Sequence, residues 1–174
     1  MTLLASFALT LLAASASAHE AFAGVYAHEI DTPFSLDTDE GGTDFQIGFR
    51  LAPVKELQLI GKPAPYVIAS LNTKGDTSFV GAGLSWKIGR GRIYVRPEVG
   101  VAVQDGPSRK ITPTGKHLEL GSRVLLQPGL SLGAKVSPRL AVEASWVHLS
   151  HGGVCNRHQN PGLDMWGVRL NLAL

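Results

Sequence analysis

From Ala21 onward the chain alternates between apolar residues and polar or small ones. The runs are short, clusters of Gly, Pro, Asp and Ser separate them, and no stretch sustains a helical period. Successive side chains on a strand point to opposite faces, so each run carries two rows. After an irregular first run over 21–30, Phe45, Ile47, Phe49 and Leu51 stand opposite Gln46, Gly48 and Arg50. Pro65, Val67, Ala69 and Leu71 share one face of a third run, and Val80, Ala82, Leu84, Trp86 and Ile88 oppose Phe79, Gly81, Gly83, Ser85 and Lys87 in a fourth. The contrast is strongest in the fifth, where Ile93, Val95, Pro97, Val99, Val101 and Val103 oppose Tyr94, Arg96, Glu98, Gly100, Ala102 and Gln104. A sixth run is expected to begin near His117, with Leu118, Leu120, Ser122, Val124 and Leu126 on the apolar row, and to continue past Pro128 to Val136. A seventh starts at Leu140 and an eighth at Met165.

About eight strands of roughly ten residues, joined by tight turns and long polar loops, predict an all-β fold, an eight-stranded antiparallel transmembrane β-barrel. A soluble barrel would turn its apolar rows inward. Here those rows are too many and too uniform, while the opposite rows hold Arg50, Arg96, Glu98, Glu119, Arg123, Glu143 and Arg169. Charges of both signs on one face of successive strands fit a narrow lumen packed with paired polar side chains. The apolar segment 3–14, followed by Ala16-Ser17-Ala18, reads as a secretory signal peptide over residues 1–18, leaving 19–174 as the barrel. Residence in the outer membrane of a Gram-negative bacterium follows from the two readings together.

Composition narrows the chemistry. A net charge of +2, spread along the chain, gives no footprint for nucleic acid. The single cysteine, Cys155, forms no internal disulfide and has no obvious activating neighbour in sequence. His151, Cys155, His158 and Asp164 follow no regular ligand spacing, so neither a metal nor another cofactor is expected. Trp86, Trp146 and Trp166 all fall on apolar rows and read as interfacial girdle residues.

The last hairpin carries the candidate site. On one face of the seventh run, Leu140, Val142, Ala144 and Trp146 lead to His148 and Ser150; counting back by twos from Trp166, Asp164 heads the apolar row of the eighth. Pairing the two runs with these rows on one surface brings His148, Ser150 and Asp164 together at the loop end, the three side-chain types that acyl transfer uses. Glu143, an odd number of residues from His148, falls in the lumen instead. On apolar rows facing outward, the three groups would lie in the outer zone of the bilayer and meet a lipid. The competing readings are a polar rim for His148 and Ser150 and a simple turn residue for Asp164.

The segment His148-Leu149-Ser150 with Gly152, then Asn160-Pro161-Gly162-Leu163-Asp164 and a final strand, resembles the outer-membrane lipid A 3-O-deacylase (PagL) family, as do Leu120-Gly121-Ser122-Arg123 and the strand from Leu140 to Trp146. The resemblance implies a serine esterase that removes the 3-O-linked acyl chain of lipid A, with Ser150 as nucleophile, His148 as base and Asp164 as the acid. It implies lipopolysaccharide and other outer-membrane lipids as partners, and a homodimer is an allowed assembly. Two positions depart from the family pattern: His151 stands where the family has Asn, and Asp164 where it has Glu. The Asn is an oxyanion-hole candidate there, a role that His151, Gly152, Gly153 or Asn160 would have to take in this chain. The alternative is a small outer-membrane barrel without catalysis, structural or adhesin-like.

Overall fold

The computed structural model describes residues 19–35, 38, 40–89, 91–106, 120–154 and 160–174. They form eight antiparallel strands: β1 (Glu20–Ala27), β2 (Thr43–Arg50), β3 (Ala64–Asn72), β4 (Phe79–Ser85), β5 (Ile93–Gln104), β6 (Val124–Lys135), β7 (Leu140–Leu149) and β8 (Leu163–Ala173). Each strand pairs with its neighbours in sequence, and β1 pairs with β8 to close the barrel. Closure leaves no sheet edge, the condition for crossing hydrocarbon with strands. The signal segment 1–18 lies outside the described residues.

The rows face as their chemistry demands. Ile47, Val67, Leu71, Val80, Val101, Leu132 and Leu170 stand exposed on the outer wall, while Arg50, Arg96, Glu98, Glu143 and Arg169 are buried within the lumen. There Arg50 donates to Glu98 at 2.6 Å and to Asn171 at 2.6 Å, and Arg169 reaches Glu98 at 3.0 Å and the Tyr26 hydroxyl at 2.9 Å. Arg96 bridges Glu143 at 2.8 Å and Glu20 at 2.7 Å. Toward the end carrying the β7–β8 loop the filling becomes apolar, with Ile68, Phe79, Leu125, Val147, Leu149, Leu163 and Met165 buried together. Glycine is required where tyrosines cross this narrow space: a Cβ on Gly100 would stand 2.6 Å from the Tyr66 hydroxyl.

Two expectations are corrected. The sixth strand begins at Val124, not near His117; His117, Leu118 and Glu119 lie outside the described residues. Gly121 takes a left-handed φ of 74°, and the Ser122 hydroxyl binds the Val124 backbone at both N–H and C=O, so local bonding replaces the ladder there. Leu120 therefore joins the buried cluster instead of the lipid row, and Arg123 is exposed beyond the strand instead of lining the lumen. The second correction concerns the β2–β3 connection, which holds a short 3-10 helix, Lys55–Ile60, that the alternating pattern did not foretell.

The connections 28–42, 105–123 and 150–162 leave one end of the barrel together with the short turn at 73–78. The other end carries 51–63, 86–92, 136–139 and both ends of the described chain. In such barrels the longer loops face the cell exterior, which places the β7–β8 loop and the candidate site at the outer leaflet. No helix is long and apolar enough to cross a membrane among the described residues.

Candidate active site

β7 and β8 are registered so that Trp146 stands opposite Trp166 and His148 directly opposite Asp164. Both of the latter lie on outward rows. His148 Nδ1 meets Asp164 Oδ1 at 2.8 Å. The same oxygen accepts the Trp146 indole N–H at 2.7 Å, and Asp164 Oδ2 accepts the Thr32 hydroxyl. A ring Nδ1 turned to a carboxylate acts as the donor, which in a neutral imidazole leaves Nε2 as the acceptor.

The pair is not open to lipid, as its place on the outward row suggested. Asp164 is 0% exposed and His148 7%. The β1–β2 loop lies over them: the Ile30 N–H donates to the Asp164 carbonyl at 2.9 Å, and the Phe34 ring sits 6.0 Å from that of Trp146. A carboxylate on a lipid-facing row is tolerable because three donors, from His148, Trp146 and Thr32, satisfy it.

Ser150 follows His148 on the same row, about 7 Å along the chain. It is half-buried and held by a reciprocal backbone pair with Leu126, 3.1 Å and 2.7 Å, which extends the β6–β7 ladder to the rim. Among the described residues no hydrogen bond joins its hydroxyl to His148; such bonds often tighten only around substrate. Gly162, φ 73°, packs against the imidazole, and a Cβ there would lie 2.8 Å from His148 Cε1. The Asn-Pro-Gly segment thus makes room for the histidine.

The loop after Ser150 is tied across its base. The backbone N–H of His151, a buried residue, donates to Asn160 Oδ1 at 3.0 Å, and Gly152 and Gly153 turn the chain with φ of 58° and 72°. Of the four oxyanion candidates, His151 and Asn160 are therefore joined to one another, while Gly152 and Gly153 supply the turn beside Ser150. Cys155 and His158 lie outside the described residues, and no cluster of metal-ligating side chains occurs among those described.

A second histidine anchors the covering loop. His28, buried just beyond β1, binds Asp44 through Nδ1 at 2.8 Å and Glu40 through Nε2 at 2.9 Å. Thr77 holds the other Glu40 oxygen at 2.8 Å, and Asn72 donates to Asp44 at 3.0 Å. Burial disfavours the imidazolium, but the hydrogen bonds to Asp44 and Glu40 outweigh it and raise the pKa of His28 to about 9.

Sequence reasoning brought His148 and Asp164 together correctly and placed Glu143 in the lumen, where it lies. It missed Thr32, Phe34 and the anchor at His28. Trp146 has a contact beyond the girdle role expected of it, since its indole N–H donates to the site carboxylate. Trp166 is half-exposed on the outer wall, and Trp86 donates to the Ile60 carbonyl at the opposite end of the barrel.

The model of the lipid A 3-O-deacylase (PagL) family matches residues 30–173. No curated protein sequence matches the chain. Among solved structures, the outer membrane enzyme PagL aligns with a TM-score of 0.61 at 13% identity, over 89% of this chain and 99% of that one. Neisserial surface protein A aligns with a TM-score of 0.55 at 8% identity, over 90% and 97%, and a de novo designed transmembrane β-barrel at 0.53 and 13%, over 92% and 98%. Likeness at these identities establishes the barrel alone. The family match runs from the β1–β2 loop to the end of β8, so the chain is an outer-membrane barrel that belongs to the lipid A 3-O-deacylase family.

Proposed function

We propose that this protein hydrolyses the 3-O-linked acyl ester of lipid A as a serine esterase, and that residues 1–18 are its export leader. The observation that carries the reading is a buried His148–Asp164 pair on the outer wall, at the end facing the outer leaflet, with a serine next on the row. Of the three groups it is the half-buried Ser150 that a lipid ester can meet laterally from the membrane.

His148 Nε2 accepts the proton as Ser150 Oγ attacks the ester carbonyl carbon. Asp164 fixes the imidazole through Nδ1 and stabilises the imidazolium that forms. In this reading the backbone N–H groups of Gly152 and Gly153, in the turn after Ser150, serve as the donors to the oxyanion. Collapse of the tetrahedral intermediate expels the sugar 3-oxygen, which takes the proton from His148, and leaves the acyl group on Ser150. Water, deprotonated by the same nitrogen, then releases the fatty acid and restores the serine. Asp164, one methylene shorter than Glu, still reaches the imidazole at hydrogen-bond length.

The test is to incubate refolded protein with lipid A and weigh the products by mass spectrometry, wild type beside Ser150→Ala. Loss of one 3-hydroxyacyl chain with wild type only is the expected result. Equal loss with both would remove Ser150 as nucleophile, and no loss from a barrel with normal heat-modifiable migration would remove the activity.

A further inference from the structure

The carboxylate beside His148 is held from the far end of the sequence. Asp164 Oδ1 already serves two donors, the His148 ring and the Trp146 indole. Its other oxygen is held by Thr32, 132 residues earlier in the chain. A hydroxyl has one proton to give. The Thr32 oxygen accepts the Phe34 backbone N–H at 3.0 Å, so its own proton is left for Asp164. The bond from the Ile30 N–H to the Asp164 carbonyl sets the register of the loop, and the Phe34–Trp146 contact closes its outer side.

We propose that Thr32 is a positioning residue for the reaction: its hydroxyl locks the Asp164 carboxylate in the orientation that holds His148 toward Ser150. The inference rests on the serine-esterase reading. A short aspartate has few ways to present Oδ1 to the imidazole, and without a donor on Oδ2 the carboxylate rotates about its Cβ–Cγ bond. Thr32 removes that freedom before substrate arrives, the kind of preorganisation on which catalytic geometry depends. Since the Thr32 hydroxyl is spent on Asp164 and the Phe34 N–H, it acts on turnover and not on lipid binding.

The test compares wild type, Thr32→Val and Thr32→Ser, each refolded and checked for heat-modifiable migration. The first readout is steady-state release of 3-hydroxy fatty acid from lipid A. Valine keeps the shape and removes the donor, and a charge-assisted bond of this kind is worth about tenfold in rate. The expected result is a kcat lowered about tenfold with KM unchanged for Thr32→Val, and a return to within about twofold of wild type for Thr32→Ser. The second readout needs no turnover: in protein labelled with nitrogen-15 histidine, the His148 Nδ1–H resonance is expected to be sharp in wild type and Thr32→Ser and broadened by exchange in Thr32→Val. A Thr32→Val protein with unchanged kcat, a changed KM alone, or an unchanged His148 resonance would overturn the proposal. If wild type itself releases no fatty acid, the esterase reading fails, while the resonance still decides whether Thr32 orders the pair.

Discussion

Among the described residues, histidine and carboxylate meet twice at the exterior end of this barrel, with opposite results. His28 has both ring nitrogens bound by carboxylates, Asp44 on one side and Glu40 on the other. His148 has one nitrogen bound, to Asp164, and a serine beside it. The first arrangement is a clamp, since no lone pair is left to take a proton. The second leaves one ring nitrogen without a carboxylate, as the proposed role of base requires. In the lumen Glu98 meets two arginines, Arg50 and Arg169, which give up no proton at any physiological pH, so it is held permanently. The same buried carboxylate therefore serves cohesion or chemistry according to the cation that meets it and the number of that cation's donors it uses up.

The contrast is broken most severely in the lumen. Glu98→Ala leaves two buried guanidinium groups facing one another, and the loss of one partner of such a network costs about 3–5 kcal/mol. Urea unfolding in lipid vesicles is expected to show that loss, while deacylation per folded molecule stays at the wild-type level. A smaller effect, confined to the outer site, is expected from Gly162→Ala. The new methyl group collides with His148 and places a side chain at positive φ. Release of fatty acid should fall by about tenfold or more with the melting temperature shifted by only a few degrees.

The mildest test is pH. His28 titrates at about 9, above its ordinary 6.5, so its contribution to holding the β1–β2 loop is complete below 6.5 and disappears as pH rises through 9. For Glu40 burial raises the pKa, but the bonds from His28 and Thr77 prevail and lower it, so its contribution is present above 4.5 and disappears as the solution becomes acidic. Limited proteolysis of the β1–β2 loop should therefore accelerate at both extremes, while the strands stay protected. Cleavage independent of pH between 6 and 10 would show that the clamp does not hold the loop.

Much of this was legible in the chain because a strand has only two faces. Counting by twos from Trp166 sufficed to put Asp164 on the row of His148, and the lumen position of Arg50, Arg96, Glu98, Glu143 and Arg169 followed from the same parity. Parity fails where the backbone leaves the ladder, which is why Leu120 and Arg123, on either side of the turn at Gly121, were misassigned. Trp146 could have been found: once it is set opposite Trp166, its indole is diagonal to Asp164 and within reach of it. Thr32 could not. It lies in a loop with no periodicity, and its partner is fixed by the pairing of the first strand with the last, a long-range event that local pattern does not encode.

That pairing ties the site to closure of the barrel. Thr32 and Ile30 meet Asp164 where the chain leaves β1, alongside β8. An open sheet still being inserted has the serine, the histidine and the aspartate on one hairpin but lacks the covering that fixes them. In the proposed mechanism the site is complete only in the closed barrel, because the covering that Thr32 and Ile30 give Asp164 depends on the β1–β8 seam.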